Sequence, residues 1–218
     1  MNKSAICAVV VANDLQLIRE VAPLADLFEL RIDLIGEGWQ DMVKKLGKPW
    51  IATNRTVAEG GQWQGPEARR IEPLLHAVEL GGGYIDVEVN TPNLENIARA
   101  IKKRTKLLLS YHDLEKTPSL DDMKRIVRKQ LNAGADICKV ISTAREPEDN
   151  LTVLKLIKEF PEAKIVAFAM GPLGLLSRVL CPLAGGEFTY ASIGKGKESA
   201  MGQLTVSEMR NIYEMMGE

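Results

Sequence analysis

Short runs rich in β-branched and aliphatic residues alternate with amphipathic stretches along the whole chain. The runs fall at residues 4–11, 27–33, 49–55, 84–89, 106–112, 136–141, 164–170 and 188–193. Most are apolar without strict alternation, the pattern of strands covered on both faces of a parallel sheet. Helical spacing predicts a helix after each. The first opens at Asn13 or Asp14 as N-cap, and the next spans 39–46. A charged loop over 56–65 leads to a helix that starts at Pro66 and stops at Gly81-Gly82-Gly83, proline at the start and glycine past the end. Thr91-Pro92 opens another, and Ser119 caps one that ends near Gly134. Residues 146–160, 174–181 and 205–216 supply the rest.

Eight strand–helix units in 218 residues leave about 27 residues for each, close to the minimum for a βαβ repeat. The expected architecture is therefore α/β, a single (β/α)8 TIM barrel over 1–218. An open doubly wound sheet is the fallback, weakened because no Gly-x-Gly-x-x-Gly follows the first strand. Composition agrees with one globular domain: 45% hydrophobic and 26% charged residues. A net charge of −1, with Lys and Arg dispersed, argues against a nucleic-acid or anionic-membrane partner. Residues 1–12 carry one lysine and an apolar run too short for a membrane span, with no signal-peptide pattern. Cys7, Cys138 and Cys181 lie far apart in apolar segments, without metal-ligand spacing. They read as buried free thiols of a reducing cytoplasm.

Chemistry in such a barrel collects at the carboxyl ends of the strands. Side chains two apart share a strand face, so Glu29 with Arg31, Thr53 with Arg55, Asp86 with Glu88, and Ser110 with His112 each point one way. Lys139 follows in Ala135-Asp136-Ile137-Cys138-Lys139-Val140-Ile141-Ser142. So many ionisable groups at strand ends must satisfy one another or a ligand, because an unpaired buried charge costs several kcal/mol. Apolar neighbours would desolvate the Lys139 ammonium, and Arg31, Arg55 and Arg178 nearby would add positive charge. They would favour the neutral amine that adds to a ketone or aldehyde. The competing reading is a lysine at the strand end whose head snorkels into water. His112 is the histidine placed for proton transfer, and Glu88 could fix its tautomer. His76 reads as a surface or packing residue of its helix. Arg178, just beyond the seventh strand, offers a fork of donors suited to a carboxylate. The glycine-rich stretch 194–203 reads as a mobile lid with Ser199 and Gln203 as hydrogen-bonding groups.

The segments Glu29-Leu30-Arg31-Ile32-Asp33, Thr53-Asn54-Arg55, Asp86-Val87-Glu88, Ser110-Tyr111-His112-Asp113, Lys139, Phe168-Ala169-Met170-Gly171, Ser177-Arg178 and Ser199-Ala200-Met201-Gly202-Gln203 cover nearly the whole chain. Each is weak alone, but in this order they closely resemble the type I 3-dehydroquinate dehydratases of the shikimate pathway. The resemblance implies a cytoplasmic, typically homodimeric (β/α)8 enzyme that uses no metal or organic cofactor and converts 3-dehydroquinate to 3-dehydroshikimate. It makes Lys139 the Schiff-base nucleophile, His112 the general acid and base, and Glu88 the residue that orients His112. Glu29, Arg31, Arg55, Arg178, Ser199 and Gln203 become substrate ligands, with Arg178 on the carboxylate. Met201 departs from the family, many members of which have proline there. The chain is also shorter than many bacterial members.

Two other readings compete. A class I aldolase shares a barrel and a strand lysine, but would usually need a phosphate grip in the last two loops. The set Glu29, Arg31, Arg55 and Arg178 suits a polyhydroxylated carboxylate instead. A non-catalytic barrel that binds a small polar ligand would keep these charges but leave Lys139 unreactive toward carbonyls.

Overall fold

The computed structural model describes residues 4–218; the part of the N-terminal targeting expectation that rests on residues 1–3 lies outside them. The chain runs β1 (Ile6–Val10), α1 (Leu15–Val21), β2 (Leu27–Arg31), α2 (Ile32–Ile35), α3 (Gln40–Leu46), β3 (Trp50–Thr53), α4 (Glu67–Glu79), β4 (Tyr84–Glu88) and α5 (Leu94–Lys102). It continues with β5 (Lys106–His112), α6 (Leu120–Asn132), β6 (Ile137–Thr143), α7 (Asp149–Lys158), β7 (Ile165–Met170), α8 (Leu175–Leu180), β8 (Thr189–Ser192) and α9 (Val206–Met215). All strand pairs are parallel, in the order β7-β6-β5-β4-β3-β2-β1-β8. The result is the expected (β/α)8 barrel, closed except for a seam between β7 and β8. No ladder runs along that seam, although the Glu187 N–H donates to the Ile165 carbonyl at 2.8 Å near its start.

Helix starts follow local chemistry. Asp14 accepts from the Leu17 N–H, Ser119 from the Asp122 N–H, and Thr205 with Glu208 forms a reciprocal capping box. Each caps an orphan donor, so the boundaries predicted from these residues hold closely. Two predicted segments differ. The second strand stops at Arg31 rather than continuing to Asp33, because the chain turns into α2 and Gly36 then ends that turn at φ 74°. The 56–65 segment is more than a charged connection. It forms a 3₁₀ turn over Val57–Glu59, then pairs back through Thr56 and Trp63. Gly61 must be glycine there, since a Cβ would stand 2.1 Å from the Arg55 carbonyl oxygen.

Strand residues divide by parity. Ile6, Ala8, Val10, Phe28, Leu30, Ile85 and Val87 pack outward against helices. Cys7, Val9, Leu27, Ile51 and Leu108 belong with the barrel interior. Those inward positions are apolar toward the amino ends and become Glu29, Thr53, Asp86, Ser110 and Lys139 toward the carboxyl ends. The register sets Glu88 beside Ser110 and Ser110 beside Lys139, which carries three strands' polar side chains to one end of the barrel.

Candidate active site

A small cavity opens at that end, lined by residues of the strand ends, of the loops after β3, β5 and β8, and of α8. Lys139 is buried in it, 5% exposed. Its ammonium is not isolated among apolar groups: Nζ lies 3.1 Å from Asp86 Oδ2 and 3.5 Å from Glu29 Oε1. The expected setting of apolar neighbours with arginines nearby left out these two carboxylates. The arginines are themselves engaged. Arg55 donates to Asp86 Oδ2 at 2.6 Å and to the Ser110 hydroxyl at 2.7 Å, and lies 3.0 Å from Glu88 Oε1. Burial pushes the Asp86 carboxyl toward its neutral form, but Arg55 and Lys139 outweigh burial and hold it below the usual carboxylate range. Glu29 also accepts from Thr53 Oγ1 at 2.9 Å. Arg31 is clamped on Asp33 through two hydrogen bonds of 2.9 and 2.7 Å, a rigid fork at the cavity wall.

His112 does not meet Glu88. Glu88 turns instead to Arg55 and to Arg70, at 3.0 and 2.5 Å. The partner of His112 is Glu59, whose Oε2 accepts from the His112 backbone N–H at 3.1 Å and faces Nδ1 at 2.9 Å. The physical reason lies in the folded-back 56–65 segment, which brings the Val57–Glu59 turn over the end of β5. Burial first, then Arg55 and Lys139, push His112 well below its ordinary value, so the imidazole is neutral at pH 7. Burial also raises Glu59, to about 7, against the pull of Arg55. An ionised Glu59 holds the proton on Nδ1 and leaves Nε2 free to take another. Glu59 went unrecognised in the sequence because it stands on a connection with no periodic pattern. Its spacing of four residues from Arg55 was the available signal. His76 is exposed, edge-on to Trp39, and does not line the cavity.

Arg178 on α8 reaches the cavity while only 1% exposed. The guanidinium's sole hydrogen bond among the described residues is long, from Nη1 to the Tyr190 carbonyl at 3.5 Å, and Nε and Nη2 have no partner. The guanidinium carbon lies 4.4 Å from the centre of the Phe168 ring. Burial lowers this arginine to about 10. An under-satisfied buried guanidinium in a cavity wall is a site made for an anion. Ser199 and Gln203 face the same space and bond to each other, the Ser199 N–H donating to Gln203 Oε1 at 2.8 Å. The cavity therefore collects Lys139, His112, Glu29, Arg31, Arg55, Arg178, Ser199 and Gln203, while Glu88 stands behind Arg55. Among the described residues no group of three or more His, Cys, Asp or Glu is placed to hold a metal ion. No helix there is long and apolar enough to cross a membrane.

Comparison with known proteins gives one consistent result. The family model described as Type I 3-dehydroquinase matches residues 6–218. A 3-dehydroquinate dehydratase of Dehalococcoides mccartyi is 48% identical over 189 residues, covering 87% of this chain and 85% of its own. One from Methanosarcina barkeri is 34% identical over 230 residues, covering 98% and 95%. The crystal structure of 3-dehydroquinate dehydratase from Geobacillus kaustophilus superposes with a TM-score of 0.89 at 26% identity, covering 99% of this chain and 92% of that one.

Proposed function

The chain belongs to the type I 3-dehydroquinase family, and on that premise we propose that it dehydrates 3-dehydroquinate through an iminium on Lys139. Arg178 receives the substrate carboxylate on its unpaired N–H groups, and Arg31, Arg55, Glu29, Ser199 and Gln203 hold the hydroxyls and ketone. Lys139 passes a proton to Nε2 of His112 and its nitrogen attacks the ketone carbon. His112 returns that proton to the oxygen to give the carbinolamine, then carries a second proton from its nitrogen to the hydroxyl, which leaves as water and forms the iminium. The iminium draws electrons from the adjacent carbon, and His112 removes a proton there. The β-hydroxyl then leaves as a second water with the proton from His112. One water re-enters to hydrolyse the iminium, freeing 3-dehydroshikimate and Lys139, so a single water is lost per turnover. Glu59 rather than Glu88 holds the His112 tautomer; Glu88 positions Arg55.

The observation that carries this reading is the placement of a buried lysine and an under-satisfied buried arginine in the same cavity as a neutral histidine. A cytoplasmic role in aromatic amino-acid and chorismate biosynthesis belongs to the same proposal, in keeping with three buried free thiols. A homodimer is part of the same proposal. Leu151, Leu173, Leu175 and Leu176 are exposed, and Asn150 donates to the Leu173 carbonyl at 2.7 Å, tying their two segments into one apolar patch. Sedimentation with Leu176→Glu as control distinguishes a dimer across this patch from a monomer.

The mechanism is tested by adding borohydride with 3-dehydroshikimate. Reduction should attach the ligand irreversibly to Lys139, by peptide mapping, and abolish activity. Normal dehydration by Lys139→Met, or label on Lys106 or Lys195, overturns the assignment.

A further inference from the structure

The seam between β7 and β8, where the barrel lacks a ladder, is closed by aromatic rings. Tyr190 of β8 packs edge-on to Phe188 with centroids 5.3 Å apart, and to Phe168 of β7 at 6.2 Å. This trio carries both cations of the site that condensation and carboxylate binding require. Arg178 stands over Phe168, and Lys139 Nζ stands 4.3 Å from the centre of the Tyr190 ring. Tyr190 is only 3% exposed. A cation over an aromatic face within about 6 Å is attracted by the ring quadrupole, and more strongly where water is excluded.

We propose that the face of Tyr190 is a catalytic electrostatic element that stabilises the cationic iminium at Lys139, an inference that rests on the Schiff-base reading above. The argument is one of hydrogen-bond supply. An ammonium has three N–H donors, and Lys139 directs its own toward Asp86 and Glu29. Condensation with a ketone converts two of the nitrogen's positions to a C=N bond and leaves one N–H, while the positive charge stays. The carboxylates then lose most of their directed contacts with that nitrogen. The ring face needs no N–H and retains its attraction throughout. Tyr190 therefore favours the iminium over the neutral free amine. The seam is where a ring can sit this close, because its position is set by packing against Phe168 and Phe188 rather than by a ladder partner on β7.

The test varies the ring's charge distribution at constant shape. Tyr190→Phe serves as the reference, and 4-fluoro-, 3,5-difluoro- and 3,4,5-trifluorophenylalanine are placed at the same position. The equilibrium constant for adduct formation with 3-dehydroshikimate, referred to the neutral amine by following it up to alkaline pH, is read as the fraction of chains trapped by borohydride across a titration. It should fall stepwise with fluorination, by about tenfold in total. Tyr190→Leu, which removes the ring, should fall below the whole series. A flat fluorination series overturns the proposal even if Tyr190→Leu folds poorly. Failure of the unsubstituted protein to form any adduct at Lys139 would instead overturn the Schiff-base reading, and the role of Tyr190 with it.

Discussion

Arg178 gives the sharpest test, because its two roles pull in opposite directions. Its guanidinium is buried with two nitrogen groups unpaired, and burial lowers it from the ordinary arginine value to about 10. That difference corresponds to roughly 3 kcal/mol of unfavourable charge burial. The sign is that of a cation depressed in the folded state. The cost is present in full below about pH 10 and is relieved only as pH rises from there toward the ordinary arginine value, so it applies throughout the physiological range. Arg178→Met removes the charge and keeps an apolar chain against Phe168. Unliganded Arg178→Met should therefore melt higher than the parent, by up to roughly 6–12 °C at about 2–4 °C per kcal/mol for a chain of this size. The same change deletes the charge-assisted fork to the substrate carboxylate, worth on the order of 2–5 kcal/mol, so KM or product Kd should rise at least about 30-fold. Differential scanning calorimetry with and without saturating 3-dehydroshikimate reads both effects. Without ligand the variant is the more stable, and with ligand the parent is. A variant less stable in both conditions, with unchanged ligand affinity, would refute the reasoning that Arg178 is held unpaired for an anion.

His112→Ala should lower kcat by roughly 10²–10⁴-fold yet still yield a slow borohydride adduct on Lys139, measured by steady-state kinetics and intact mass. Glu59, held at about 7 in the fold against 4.5 for an ordinary glutamate, keeps its proton where the unfolded chain has lost it. Stability should thus fall by up to roughly 3 kcal/mol as pH rises from about 4.5 to 7, and urea melts of Glu59→Gln should show that interval flattened. Protonating Glu59 also releases Nδ1 of His112 from its acceptor, so activity should drop as pH falls below about 7. In Glu59→Gln that limb of the pH–rate profile should move or vanish. Ligand should protect residues 194–203 from protease, since Ser199 and Gln203 face the cavity; equal cleavage with and without ligand would make the loop a rigid connection.

Much of this molecule is legible in local order. Strand residues alternate faces whatever the fold, so Glu29 with Arg31, Ser110 with His112, and Lys139 with Ile141 could be placed on common faces from the sequence. All six now line the barrel or its mouth. Helix starts were equally local: Asp14, Ser119 and Thr205 each cap a donor no more than three residues away. The same locality explains why eight strand–helix units read as a barrel.

What only the tertiary structure decided is which groups meet. Lys139 finds Glu29 across 110 positions of sequence and Asp86 across 53, so its surroundings are ionic where the flanking residues alone suggested an apolar sleeve. His112 finds Glu59, also 53 positions away, because a glycine at position 61 lets the 56–65 segment double back against Arg55. Glu88, expected beside His112, is claimed by Arg55 and Arg70. The missing β7–β8 ladder and the aromatic trio that replaces it have no local signature either. A side chain's face follows from backbone geometry over two residues. Its partner depends on barrel stagger and loop path, which are set by packing the whole chain at once.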